Sequence, residues 1–482
     1  MKPRHFILLL ALLQLCVAFL TDAQTFTHEE SMWHYIGRNW FRLGLTPYAG
    51  GVDNKSPLIF VVFGLSDALF GINYWFPRVL GIAVQSVGMY YLYKTARQLT
   101  SPGGTDNRAA LLAVTLYGLS LMWRATGGKY ASFTETYATT FLIISVYQYI
   151  ISKNNRQYFL AGILAGCALA WRLSAGFGVT AVLIHSLMKK KQAMLPFIAG
   201  IATAATALLL LALAAGISLN DLWLYAFAGN FGAGSTTDHS WSWKLQSFME
   251  SFFYSELLLF YPIMAAYFLL NKKYSLLTAW LICEFIGINL LGIYARPHFK
   301  SLLPVLSLMG GISIAQLVND YQLSMRKVLL AVWIIFFPKV TEPLIAVKRI
   351  FTGRTGIVQV ADSCINYSRP TEQEEKQLGL WIKHNTDKND KLYVAGFGAR
   401  VQLYAERLSP TIYFNVTQTK NAIAQTMNEI SSGKPAMIAI PAFADYDKYV
   451  DEELRRFLKE VVTREYVWER CVNGYLIYRR RV

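Results

Sequence analysis

The chain has 482 residues, of which 54% are hydrophobic and only 16% charged, with a net charge of +16 and a mean hydropathy of +0.31. A soluble chain carries roughly a quarter charged residues. A disordered chain would lack the 29 Phe, 28 Tyr and 12 Trp found here, and five dispersed Cys exclude a disulfide scaffold.

What remains is a polytopic α-helical membrane protein. Residues 1–350 carry 27 Lys+Arg and 14 Asp+Glu, hence +13, while 351–482 carry 19 and 16, hence +3. The first stretch, 1–350, reads as a transmembrane body, and 351–482 as a soluble domain.

A spanning helix needs about 20 mostly apolar residues. That predicts spans near 6–22, 76–95, 109–125, 136–152, 158–171, 174–188, 194–215, 248–270, 275–292, 301–318 and 328–347. The count is about eleven. The first of them also resembles a cleavable signal, with a basic start, an apolar run and Thr21-Asp22-Ala23.

Residues 57–71 are apolar but short, and they contain Asp67. If they lie on the outer interface without crossing, the inside connectors carry Lys2, Arg4; Lys94, Arg97, Arg108; Lys153, Arg156; Lys189, Lys190, Lys191; Lys272, Lys273; and Arg326, Lys327. The positive-inside rule favours this arrangement. The N-terminus is then cytoplasmic and the C-terminal domain extracytoplasmic, which in a bacterium means an inner-membrane protein with a periplasmic tail.

The outer loop 22–57 opens with a helix signal. Thr27 and Glu30 have capping-box spacing. Trp33, Ile36, Trp40 and Leu43 share one face, and Glu30, His34, Arg38 and Arg42 form an i, i+4 ladder on another. This predicts an amphipathic interfacial helix with Trp at headgroup depth.

Each outer charge has a plain reading beside a chemical one. Glu30 serves as a cap or as a catalytic acid, and Glu29 as a solvated acid or as a base. Lys55 snorkels or neutralises a phosphate. Glu135 sits at a span entrance, favoured there by the helix dipole or placed to act in a cavity. Arg172 and Arg296 are outer cations and candidate phosphate ligands, Glu256 and Glu284 are acids within spans, and Glu30, His298 and His239 are candidate metal ligands. Their spacing is not a metal signature.

The tail pattern suggests α/β, with strands near 391–397, 436–443 and 474–480 and helices near 372–384, 418–432 and 447–463. Cys364 and Cys471 both fall in it, and a bridge between them would close a loop worth on the order of 4–5 kcal/mol in the entropic account.

No Walker A loop, GxGxxG, HExxH, CxxC pair or GxSxG is present. This disfavours nucleotide-fuelled transport. A partner nucleic acid is not expected.

The order Glu29-Glu30-Ser31-Met32-Trp33, Ile36-Gly37-Arg38, Gly44-Leu45-Thr46-Pro47-Tyr48, Asp53-Asn54-Lys55-Ser56-Pro57, Leu69-Phe70-Gly71 and Arg78 resembles the GT-C glycosyltransferases that use polyprenyl-phosphate sugars. These include the protein O-mannosyltransferases (family 39) and the lipid A aminoarabinose transferases. Glu135 matches the acid opening their fourth span, and Arg296-Pro297-His298-Phe299 is similar to their late outer-loop motif. Two departures are visible: Glu29 where the family has Asp, and Lys-Ser-Pro where it has Lys-Pro-Pro.

The resemblance covers about 1–350. It implies a GT-C type body, with catalytic roles for Glu29, Glu30 and Glu135 and donor-phosphate roles for Lys55, Arg78, Arg296 and His298. It also implies a polyprenyl-phosphate-linked sugar as donor, a lipid, protein or polysaccharide acceptor, and transfer on the outer face with inversion. A divalent cation is left open. The alternative is a non-enzymatic lipid-linked glycan transporter or export-complex subunit.

Overall fold

A computed structural model describes residues 3–21, 26–101, 106–123, 126–229, 240–254, 261–270, 274–291, 294, 296–336, 370–396, 398–414, 421–442 and 450–481. His239, Glu256 and Cys364, along with Lys2, Lys272 and Lys273, lie outside these residues.

In chain order the helices are α1 (Pro3–Thr21), α2 (His28–Leu43), α3 (Pro57–Phe70), α4 (Trp75–Thr100), α5 (Arg108–Ser120), α6 (Thr134–Ile151), α7 (Asn155–Trp171), α8 (Gly176–Lys189) and α9 (Lys191–Ala214). Then come α10 (Trp241–Tyr254), α11 (Tyr261–Leu270), α12 (Ser275–Leu291), α13 (Leu303–Asp320) and α14 (Met325–Phe336). The tail holds α15 (Glu372–His384), β1 (Leu392–Val394), α16 (Ala399–Ala405), α17 (Ala422–Gly433), β2 (Met437–Pro441), α18 (Glu452–Glu465), β3 (Tyr466–Val472) and β4 (Tyr475–Arg480).

Two compact units emerge. One comprises Met1–Ala23, Trp75–Leu211 and His239–Thr352, the other Gln24–Tyr74, Ala212–Asp238 and Gly353–Val482.

The first unit is a helical body whose core runs from Leu10 through Leu116, Val146 and Met309. Small residues set its close contacts. A Cβ on Gly311 would come within 2.5 Å of the Ala113 backbone, and one on Gly162 within 2.0 Å of the Phe197 carbonyl. Helices that cannot use a hydrophobic drive in lipid associate through such backbone approaches.

By length and composition, two helices among the described residues suffice to cross a membrane: Lys191–Ala214 and Pro297–Asp320. This is fewer than the eleven expected. Several expected spans are short apolar helices, such as Arg108–Ser120 and Ser275–Leu290. The run expected as one helix at 248–270 is described as α10 and α11, with Pro262 in the first turn of α11. Residues 255–260 between them lie outside the described residues. The helix expected at 328–347 is described only to Phe336.

In the second unit α2 crosses α3 at a glycine pair. A Cβ on Gly37 would sit 2.5 Å from the Gly64 nitrogen. Pro57 starts α3 in its first turn, and Gly71 ends it with φ +70°.

The tail sheet has strand order β1-β2-β4-β3. β1 and β2 are parallel, while β2–β4 and β4–β3 are antiparallel. One face packs Leu378, Ile382, Val401 and Ile477, the other Ile430, Leu454, Leu458 and Val462. β3 and α16 are additions to the expected elements. Cys471 is disulfide-bonded.

Candidate functional site

α2 begins at Thr27, whose hydroxyl accepts from the Glu30 N–H at 3.1 Å while Glu30 Oε2 accepts from the Thr27 N–H at 2.9 Å. The capping box is complete, and Glu30 is fully buried. Its carboxylate therefore has a structural task, satisfying the Thr27 N–H while the Thr27 hydroxyl satisfies the Glu30 N–H.

Glu29, one residue earlier, keeps an exposed side chain. Crowding by surrounding protein raises its pKa. A backbone N–H and Lys55 oppose the rise, and Asp53 and Glu30 add to it. Glu29 and Lys55, 26 positions apart in sequence, thus feel one another's charge.

The link between them is explicit. Trp33 lies one turn beyond Glu29, and its Nε1 donates to Asp53 Oδ2 at 2.6 Å. Asp53 Oδ1 accepts from the Asn54 N–H at 2.7 Å, and Asn54 Oδ1 accepts from Lys55 Nζ at 2.7 Å.

Tyr48 braces the same turn from behind. Its hydroxyl donates to the Lys55 carbonyl at 2.6 Å, its ring stacks on Tyr225, and it holds φ +71°. The Val52 N–H donates to the Ile412 carbonyl at 2.8 Å. An ammonium with three donors, one of them spent on Asn54, retains two for a phosphate.

The ladder face of α2 has a partner in α3. It converges on Asp67 of α3. His34 Nε2 and Arg38 Nη1 each lie 3.2 Å from Asp67 Oδ1, Arg42 Nε bonds Oδ2, and Arg42 Nη2 donates to the Asp67 carbonyl at 2.8 Å. Arg38 also reaches Glu406 at 2.6 Å, and Lys383 meets the same carboxylate at 2.5 Å.

Trp33 is fully buried in the protein, its ring edge-on to Phe63 of α3, on the helix that crosses α3 at Gly37 and Gly64. Burial alone would raise the Asp67 pKa, but His34, Arg42 and Arg38 outweigh it and hold the carboxyl at about 2. Burial lowers the His34 pKa against the pull of Asp67.

In the helical unit a small cleft of about 20 Å³ is lined by Glu135, Thr139, Arg172, Ser174, Glu284, His298 and Ser301, among others. Glu135 opens α6, where the dipole favours it. Its Oε1 meets Arg172 Nη1 at 2.5 Å, Thr134 donates to Oε2 at 3.2 Å, and Arg172 Nε donates to Ser174 at 2.7 Å. Arg172 is thereby charge-balanced.

Buried Glu284 accepts from Trp280 Nε1 at 3.3 Å. His298 borders this cleft. Arg296 opens the 3-10 segment Arg296–Leu302, and only its backbone is described. Arg78 is fully buried near the start of α4.

Lys300, not singled out from sequence, is fully buried and donates to Thr136 Oγ1 at 2.6 Å and the Tyr130 carbonyl at 3.2 Å. Among the described residues no group of three His, Cys, Asp or Glu converges as a metal site. Asp53 and Asp67 were also not singled out as site residues. The periodicity of α2 marks its faces but not the acids that meet them.

These features define a helical GT-C type fold with a small C-terminal sheet. Residues 54–218 match the family described as dolichyl-phosphate-mannose-protein mannosyltransferase. The whole chain superposes on ArnT from Cupriavidus metallidurans bound to undecaprenyl phosphate, with a TM-score of 0.65 and 12% identity over 98% of each chain. The apo state of the same protein gives 0.60 at 12% identity, covering 98% of this chain and 97% of that one.

The archaeal oligosaccharyltransferase AglB from Archaeoglobus fulgidus, in complex with an inhibitory peptide and a dolichol-phosphate, gives 0.54 at 10% identity, over 98% of this chain and 74% of that one. No curated protein matches the chain in sequence.

Proposed function

We propose that this protein is an integral membrane glycosyltransferase that moves a sugar from a polyprenyl-phosphate carrier to an acceptor hydroxyl on the outer face of a bacterial inner membrane. The observation that carries this reading is that the outer-loop carboxylate Glu29 feels the charge of Lys55, in a turn that Trp33, one helical turn on from Glu29, holds through Asp53. The matching family over 54–218 and the likeness in fold to proteins solved with lipid phosphates support it.

The chemistry follows from the groups. The leaving phosphate gains negative charge as the C1–O bond breaks, and Lys55 donates hydrogen bonds to that oxygen. The attacking hydroxyl is a weak nucleophile, and Glu29 takes its proton as the new C1–O bond forms. A single displacement inverts the anomeric centre. The raised pKa of Glu29 brings it closer to the acceptor's proton than an ordinary surface carboxylate.

Glu30 is assigned to hold the first turn of α2, and Glu135 to orient substrate within its cleft. Mass spectrometry of envelope glycolipids and glycans from a deletion strain tests the reading. One sugar absent from one acceptor supports it, and an unchanged envelope contradicts it.

A further inference from the structure

The helical unit carries a second recess, toward the C-terminal ends of α4 and α6, away from Arg78 and Glu135 at their N-terminal ends. Pro3 and Arg4 of α1, Tyr90, Tyr93, Lys94 and Arg97 of α4, and Tyr147 of α6 border a recess of about 460 Å³. Among the described residues no carboxylate lines it. These ends of α1, α4 and α6 belong to connectors that the positive-inside rule places inside.

Topology-setting cations need only be near the membrane, with long stems free in water. Lys94 is held differently. Its ammonium lies 4.7 Å from the Tyr147 ring centroid and 5.4 Å from those of Tyr90 and Tyr91. Tyr91 and Tyr147 pack edge to face at 5.4 Å. Rings at such distances fix a cation in place.

Helical spacing then extends the recess along the membrane. On α1, Arg4, Leu8 and Leu12 follow at i, i+4, i+8, with Leu8 57% and Leu12 51% exposed. On α4, Val87, Tyr90, Lys94 and Arg97 share a face, with Val87 and Tyr90 exposed. α1 packs on α4, and α4 on α6. Each stripe therefore has cations at its inner end and open apolar side chains toward the bilayer interior.

We propose that this recess binds an anionic phospholipid on the cytoplasmic side. The phosphate sits among Arg4, Lys94 and Arg97, and the acyl chains lie along Leu8, Leu12 and Val87. Basic pockets between helices on this side recognise such headgroups. The proposal rests on the membrane reading above but on none of the catalytic assignments.

The test uses full-length purified protein titrated with dioleoyl phosphatidylglycerol in mixed micelles, read by thermal shift. Parallel arms use dioleoyl phosphatidylcholine and sn-glycerol 3-phosphate. A Lys55→Ala background removes the proposed outer phosphate contact.

Stabilisation by phosphatidylglycerol alone, retained in Lys55→Ala, is the expected result. Lys94→Gln should weaken it ~5-fold, the scale of one basic side chain at an anionic lipid surface. Lys94→Arg should keep it, and Arg4→Gln/Lys94→Gln/Arg97→Gln should abolish it. An equal response in the triple variant and wild type would overturn the proposal. So would an equal effect of phosphatidylcholine, and a matching shift from glycerol 3-phosphate would make the occupant a soluble phosphate ester.

Discussion

The indole of Trp33 donates to the buried carboxylate of Asp53 at 2.6 Å, and this bond ties the helix turn bearing Glu29 to the turn bearing Lys55. Neither Trp33 nor Asp53 is assigned to touch substrate. Their effect on chemistry is positional, since base and phosphate ligand must be held within fractions of an ångström of their productive places.

Trp33→Phe keeps the aromatic bulk and removes the donor. The buried Asp53 carboxylate then loses this hydrogen bond, which should cost about 1–3 kcal/mol of stability. Single-turnover rates should fall ~10–100-fold as the Glu29–Lys55 geometry loosens. Thermal melts and single-turnover assays on the same preparation check both effects. Unchanged turnover with lowered stability would reduce the bond to a purely structural one.

Lys55→Ala should weaken binding of undecaprenyl phosphate by at least ~10-fold, the scale of a charge-assisted hydrogen bond. Lys55→Arg should recover part of it, because the charge remains while the reach changes. Isothermal titration with the carrier phosphate measures both variants.

Asp67 titrates at about 2 in the folded chain, below its ordinary 3.8. A depressed carboxyl contributes stability that is fully present above the unfolded value and lost as pH falls through the folded one. The contribution, on the order of 2 kcal/mol, should therefore disappear between about pH 4 and pH 2. Asp67→Asn should lower the melting temperature at pH 6 and flatten this acid limb. Melts across that pH range compare the two proteins.

Arg172→Met removes the ion-pair partner of the buried Glu135 carboxylate, leaving it the Thr134 hydroxyl and the charge of Lys300. Breaking a buried pair costs up to about 3–5 kcal/mol. The double variant Glu135→Gln/Arg172→Met should recover most of the loss, since no buried charge is then stranded. A double-mutant cycle by thermal denaturation tests the coupling.

Much of the local structure was legible in the sequence. Thr27 and Glu30 marked the start of α2, Pro57 and Gly71 bracketed α3, and Glu372–His384 formed where its pattern predicted. What sequence could not supply was the partner of a face. The His34–Arg38–Arg42 ladder was visible as a stripe of charge, yet Asp67 lay in an apolar run where nothing local pointed to it.

β3 was missed because Val467 through Arg470 are all exposed, so it lacks the alternation that reveals a half-buried strand. α16 was missed because every one of its residues is buried, which leaves no amphipathic period to read.

The central claim is that Glu29 removes the acceptor's proton while Lys55 stabilises the departing phosphate. Its most direct test is transfer by purified Glu29→Gln, using the polyprenyl-phosphate sugar that the deletion strain identifies. The account predicts turnover lowered ~10²–10⁴-fold, the range for loss of a general base, with carrier-phosphate affinity within about twofold of wild type because Lys55 is untouched. Transfer at the wild-type rate by Glu29→Gln would contradict it.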